Sequence, residues 1–259
     1  MINMSVKKNL RQDAILKKLD EYETVSVEDL CLAFNVSEAT IRRDLTDLNT
    51  SNQLHRVLGG ARAAEIYKSE LPLSNRFDNM KNEKIRIGHA ASKMIEDGDI
   101  IFISSGTTAT YLIPYLSGIN NLTVITNSLL VINGIVSLKN KINLISIGGA
   151  YRDSEQSFLG KMAAREIQVL RANKLFIGVR SIHPKFGLNN DDLTETQVDR
   201  GIISMAENII VMADHTKFNK LAPVFLADFN EVNTIITDDG LDSETVKQFK
   251  TITNKIMMV

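Results

Sequence analysis

At 259 residues with 44% hydrophobic content, the chain has the composition of an ordinary globular protein, long enough for one large domain or for a small domain joined to a medium one. A formal net charge of −1 gives no global attraction to nucleic acid or an anionic membrane, so any basic footprint must be local. One cysteine, Cys31, excludes an intrachain disulfide, and four scattered histidines without Cys/His spacing leave nothing to build a metal site, so neither metal nor cofactor is expected. No secretory-type N-terminus and no apolar run of membrane-spanning length is present, and a cytoplasmic protein with no membrane partner is expected.

The pattern is helical up to about residue 60. Leu10, Ala14, Leu16 and Leu19 with charges between them predict a first helix. Ser26 followed by Val27, Glu28 and Asp29 is a capping-box start for a second, running to Phe34, with Cys31 on its apolar stripe beside Val27, Leu30 and Phe34. "NVS" then makes a tight turn, and Ser37 caps a third helix whose Ile41, Leu45 and Leu48 face the core. Two helices joined so closely make a helix-turn-helix.

Turning the wheel by about 100° per residue from that stripe puts Ala39, Arg43 and Thr46 outward, with Thr40 and Arg42 on the flanks. Paired arginines on a helix are usually a solvated face. In this setting Arg43 suits the O6/N7 edge of guanine in a major groove and Ala39 a thymine methyl, while Arg42 and Thr40 suit phosphates. "QLHRVLGGA" then reads as a short β-ribbon or wing, with Arg56 placed to meet the backbone or the minor groove.

"AAEIYKSELPLSNRFDNMKNEK", polar and containing Pro72, reads as a linker. From about residue 98 come β-rich runs, "DIIFISS", "LTVITNS", "INLISIGG", "KLFIGVRS", "NIIVMAD" and "VNTIITD", separated by helical stretches: an α/β domain with a mostly parallel sheet. "SSGTTAT" follows the first of these strands, and either it is an ordinary βα turn or Ser105, Gly106, Thr107 and Thr108 converge backbone N–H groups and hydroxyls on an anion. Pro114 implies that the helix into which "SSGTTAT" leads is short or bent. Asn127 in "TNS" and Gly149 and Arg152 in "GGAYR" also end strands, where ligands collect in open α/β sheets. Lys217 in "ADHTKF" is either a solvated cation or a phosphate partner, and Glu195 in "LTETQVDR" either starts a helix favourably or accepts ligand hydroxyls.

"VSEATIRRDLTDLN" followed by "HRVLGGA" resembles the winged helix-turn-helix of the DeoR family of bacterial transcriptional regulators. The likeness continues through "NRFDNMKNEK", "IFISSGTTAT", "LTVITNS", "ISIGGAYR", "LFIGVRS" and "MADHTKF", almost the whole chain. The resemblance implies residues 1–61 as a DNA-binding winged helix-turn-helix, 62–80 as a linker, and 81–259 as an α/β effector domain resembling sugar-phosphate isomerases. The implied partners are double-stranded operator DNA, contacted by Ser37, Ala39, Thr40, Arg42, Arg43, Thr46 and Arg56, and a phosphorylated sugar. On the same resemblance the sugar is expected to be held by Ser105 to Thr108, Asn127, Gly149, Arg152, Glu195 and Lys217. A homo-oligomer is expected, since a lone small helix-turn-helix binds weakly.

The chain departs from the family pattern at Ser104, where an acid is usual, at Asp199, where a lysine is usual, near Ser181, where glycine is usual, and at Leu58, which replaces a histidine in the wing. Two function classes follow. One is a ligand-controlled regulator, a repressor of a carbohydrate-utilisation operon; the other is an isomerase-like enzyme with an appended DNA-binding domain. "RSIHPKFGLNN" has no carboxylate before Asp191 to move protons, which favours the non-enzyme and assigns no catalytic residue.

Overall fold

Caps and turns divide the N-terminal region into short elements. In the computed structural model, which describes residues 4–22, 24–50, 53–63, 73–253 and 255–259, the chain forms two compact units, Met1–Ser69 and Glu70–Val259. The first begins with α1 (Met4–Tyr22) and β1 (Thr24–Ser26). The core positions of α1 are Ile15 and Leu19, spaced i, i+4, whereas Leu10, expected on that stripe, is exposed and Ala14 and Leu16 are only half-buried. Ser26 starts α2 (Val27–Phe34): its hydroxyl accepts the Asp29 N–H at 3.0 Å and donates to the Asp29 carboxylate at 2.7 Å. Asn35, at φ 50°, ends α2 by returning its N–H to the Cys31 carbonyl.

α3 (Glu38–Thr50) follows at once, burying Ile41, Leu45 and Leu48 against Leu30 and Ile15 in one core. The Ser37 carbonyl receives the Ile41 N–H, and its hydroxyl meets that of Thr40 at 3.0 Å. β2 (Leu54–Val57) and β3 (Gly60–Ala63) form the expected hairpin, and β1, which periodicity did not reveal, pairs with β3. Gly59 turns the tip at φ +81°, and a Cβ on Gly60 would lie 2.1 Å from the Val25 carbonyl oxygen, so only glycine admits β1 there.

The segment expected to link the units contributes ordered structure at both ends: Arg62 and Ala63 belong to β3, and α4 (Leu73–Asp78) opens the second unit. Residues 64–72, including Pro72, lie outside the described residues. Next come α5 (Lys81–Ser92), β4 (Ile100–Ile103), α6 (Thr107–Thr110), β5 (Thr123–Thr126), α7 (Leu129–Val136) and β6 (Asn143–Ser146). A hairpin of β7 (Ala150–Arg152) and β8 (Ser157–Leu159) leads to α8 (Gly160–Gln168), β9 (Ala172–Ile177), β10 (Ser181–His183), β11 (Gly187–Asn190) and α9 (Leu193–Met205). The chain closes with β12 (Ala206–Met212), β13 (Val224–Ala227), β14 (Thr234–Thr237), α10 (Ser243–Ile252) and β15 (Ile256–Met258). As Pro114 implied, α6 is one turn long and gives way to a 3-10 turn, Ile113–Leu116.

Seven strands make one parallel sheet in the order β15-β14-β12-β9-β4-β5-β6. All six predicted strands are in it, and β15 completes it. Alternate residues feed opposite faces: Ile101 and Ile103 join one core with α5, α6 and α7, and Phe102 joins the other with α8, α9 and α10. From β4 the chain runs outward to β5 and β6, then returns to place β9, β12, β14 and β15 on the other side. The order therefore reverses between β4 and β9, where open α/β sheets leave a crevice beyond the strand ends. A second, antiparallel sheet, β10-β11-β13, and the β7–β8 hairpin were not expected from periodicity; their strands are three or four residues long.

Candidate functional site

In the first unit, α3 presents one regular face. Ala39, Arg42, Arg43 and Thr46 are exposed, Thr40 is half-buried, and Ser37 sits exposed at the turn. The two arginines differ in their surroundings. Arg42 is held by Glu38 one turn back, Nε to Oε1 at 2.8 Å, whereas the Arg43 guanidinium makes no hydrogen bond or ion pair among the described residues. Thr46 donates to the Arg42 carbonyl at 2.7 Å and receives Arg56 Nη1 at 3.1 Å, and the Asn49 amide oxygen accepts the Arg56 N–H at 3.0 Å. The hairpin cation is thus fastened to the end of α3, so helix and wing offer one basic edge. Leu58, at the hairpin tip, is fully exposed.

Arg11, which periodicity passed over, supports this face from behind. Its Nε lies 2.5 Å from the carboxylate of Asp44, a residue 2% exposed, and so braces α1 against α3. A polar residue at an inward position of α3 was the only sequence signal for that pair.

In the second unit the loop after β4 lies at the sheet's reversal. Ser105, Thr107 and Thr108 are buried, and Gly106 reaches φ +112° ahead of α6, a conformation that glycine tolerates. First-turn N–H groups of a helix lack intrahelical acceptors, so this loop can offer donors. Ser105 Oγ donates to Glu195 Oε1 at 3.4 Å. Glu195 Oε2 lies 3.5 Å from Arg152 Nη1, which also contacts Asp192 at 2.8 Å. Asp192 caps α9 by accepting the Glu195 N–H at 2.8 Å. Tertiary structure thereby joins Ser105, Arg152 and Glu195 into one cluster, although they are distant in sequence.

Asn127 is fully buried; its Nδ2 donates to the Phe158 carbonyl at 3.2 Å and its Oδ1 has no partner. Its neighbours in "TNS" have structural work: Thr126 donates to the Ile103 carbonyl at 2.7 Å, and Ser128 caps α7. Gly149, at φ +148°, would set a Cβ 2.5 Å from the Leu159 carbonyl oxygen, so it closes the hairpin that carries Arg152. Lys217, half-buried, follows β12, two places from β4 in the sheet, in a turn capped by Asp214 and steadied by His215 Nδ1 on Asp238 Oδ2 at 2.6 Å.

Behind this rim lies a buried charged group that sequence reasoning did not assign. Arg76 Nη2 contacts both Glu155 oxygens at 2.6 Å, and Lys84 Nζ donates to the Arg76 carbonyl. Asp199, one turn beyond Glu195 on α9, is 3% exposed and accepts Asn190 Nδ2 at 3.0 Å. Burial, and after it the charge of Glu155, push the Asp199 carboxyl up to about 7. Arg76 did fall in a quoted motif, but nothing in its spacing says that it pairs with Glu155.

Among the described residues no cluster of three metal-ligating side chains occurs and no helix is long and apolar enough to cross a membrane. Cys31 is a half-buried free thiol beside the first unit's core.

The model of the DeoR-like helix-turn-helix domain matches residues 11–66, and that of the DeoR C terminal sensor domain matches 79–239. The HTH-type transcriptional regulator IolR of Bacillus subtilis is 37% identical over 88% of this chain and 92% of its own. The glycerol-3-phosphate regulon repressor of Escherichia coli is 30% identical over 90% and 92%, and the HTH-type transcriptional repressor GlcR of Bacillus subtilis 29% over 87% and 86%. A solved D-ribose-5-phosphate isomerase overlays with a TM-score of 0.39 at 20% identity over 53% of this chain and 54% of its own. With an exposed recognition helix, a wing and a sensor domain matched along their lengths, the chain belongs to the DeoR family of DNA-binding transcriptional regulators.

Proposed function

We propose that this regulator represses a carbohydrate-utilisation operon and is released by a phosphorylated sugar or related metabolite bound in its second unit. The observation that carries the reading is the joining of Ser105, Arg152 and Glu195 at the point where the sheet order reverses. On this reading Ser105 to Thr108 and Lys217 take the phosphate, while Asn127, Gly149, Arg152 and Glu195 line the sugar. A relative named as a glycerol-3-phosphate regulon repressor supports a phosphorylated effector. On the DNA side, Arg43 and Ala39 read base edges, and Ser37, Thr40, Arg42, Thr46 and Arg56 position the backbone. On this reading the first unit, Met1–Ser69, is the DNA-binding domain and the second, Glu70–Val259, the sensor. Dimers or larger assemblies meet paired half-sites.

Isomerase chemistry needs carboxylates free to shuttle protons. The first two acids after β9 are engaged: Asp191 is held by Arg180 at 2.7 Å, and Asp192 by the α9 cap and Arg152. The experiment is a thermal-shift screen of the full chain against phosphorylated sugars, followed by operator mobility shifts at fixed salt. A ligand that raises the melting temperature and releases DNA, with no turnover in a coupled assay, is the expected result. Release of DNA by unphosphorylated sugars alone overturns the effector class.

A further inference from the structure

Glu195 and Asp199 stand four residues apart on α9 and therefore on one helix face. Glu195 marks where that face points, because its carboxylate meets Ser105 of the β4 loop and Arg152 of the hairpin. Asp199 is one turn deeper. Its Oδ2 accepts Asn190 Nδ2 at 3.0 Å, and Asn190 is oriented in turn by the Arg180 N–H, which donates to its Oδ1 at 3.1 Å. The carboxylate is therefore held in place. Its other oxygen, Oδ1, is buried and has no hydrogen-bond partner. A half-satisfied buried carboxylate is costly unless a donor reaches it. Asn127 Oδ1 and the hydroxyls of Ser157 and Ser181 are likewise buried without partners.

Glu155, 6% exposed, adds a second acid whose charge acts on Asp199, its own charge neutralised by Arg76. A ligand carboxylate brought here would face Asp199 at low dielectric, with the Arg76 charge already balanced by Glu155. A hydroxyl or ammonium would complete the Asp199 hydrogen bonds.

Resting on the proposed effector reading, we propose that Asp199 is a specificity-determining residue: its Oδ1 selects a phosphorylated ligand presenting a neutral hydroxyl or an ammonium and rejects one presenting a carboxylate. The fitting class is a polyol, sugar or amino-sugar phosphate, and the excluded class is the aldonic acid phosphate of the same carbon skeleton. Above about pH 7, where Asp199 carries its charge, charge opposition at the discriminating position, rather than an added attraction, supplies the selectivity.

The test measures, at about pH 8.5 so that Asp199 is ionised, binding of matched pairs, such as sorbitol 6-phosphate and 6-phosphogluconate with their four- and five-carbon counterparts, to the full chain and to Asp199→Asn and Asp199→Lys. Within a pair the parent favours the polyol ester by about tenfold or more. Asp199→Asn narrows that ratio, and Asp199→Lys reverses it. Asn is close to isosteric, so it carries the test if the lysine variant does not fold. Equal binding of both partners by the parent, or an unchanged ratio in Asp199→Asn, overturns the assignment while leaving the effector reading intact. If no ester binds and inorganic phosphate also leaves the melting temperature unchanged, the effector reading falls, and this assignment with it.

Discussion

The two units display their functional groups in opposite ways. On α3 the groups proposed to meet DNA are exposed on one regular helix face, and the rest of the helix is anchored by Ile41, Leu45 and Leu48. In the second unit the corresponding groups are buried or half-buried and come from the ends of separate strands, with Glu195 and Asp199 supplied by a helix. A rigid duplex is read by side chains that already project from a scaffold, so exposure and periodicity suffice. A small ligand must be surrounded, and that requires loops brought together by the sheet. The first unit is vulnerable through its scaffold, the second through individual polar contacts.

The largest expected effect breaks the scaffold side of that contrast. Leu45→Ala removes a fully buried side chain from the small core of the first unit and is expected to cost about 2–5 kcal/mol. Calorimetry with operator titration checks it: DNA binding is lost while ligand binding by the second unit persists. Loss of both would mean that the units do not respond separately.

Lys217→Ala tests the other side. Removing a charged contact is expected to weaken the effector by about 1.5–3 kcal/mol, roughly a tenfold or greater rise in the concentration that releases DNA, with operator affinity in the absence of effector unchanged. A mobility-shift titration at fixed salt measures both quantities. An unaltered effector midpoint would remove Lys217 from the site.

On α3 the arginines should separate. Arg43→Ala is expected to relax preference at one base pair by about 1–3 kcal/mol, as footprinting over single-position operator variants will show. Arg42→Ala should weaken all sequences alike and reduce the salt slope by about 1. Because Glu38 already engages Arg42, the parallel Glu38→Ala variant should strengthen DNA binding generally. Identical profiles for the two arginine variants would undo the wheel assignment.

The last prediction concerns a pH slope set by one buried carboxyl. With its carboxyl raised from 3.8 to about 7, Asp199 is protonated more readily in the folded chain than in the unfolded one. Its stabilising contribution is therefore fully present below about pH 4 and is lost as pH rises through about 7. Asn190, Glu155 and, through Glu155, Arg76 are the groups around it. Melting temperatures of the parent relative to Asp199→Asn should fall across that window and then level off. A flat difference would show that Asp199 keeps its charge throughout.

Much of this molecule was legible before folding because short-range periodicity carries it. Ile41, Leu45 and Leu48 fix the inward side of α3, and therefore Arg43 on the outward one, by helical geometry alone. The six β-rich runs each contain enough branched residues to declare a buried parallel strand, and Pro114 implies that the helix following the β4 loop is short or bent. What tertiary structure decided is the pairing of groups on different elements: Arg11 with Asp44, Arg76 with Glu155, Ser105 with Glu195, and Asn190 with Asp199. No local pattern encodes these contacts: the first depends on how α1 packs on α3, and the cluster around Glu195 on the strand order that sets β9 beside β4 and so brings a hairpin, a loop and α9 to one end of the sheet. The short β1, β10 and β11 escaped notice for the same reason: three- and four-residue strands have too few alternations to declare themselves and exist through their partners.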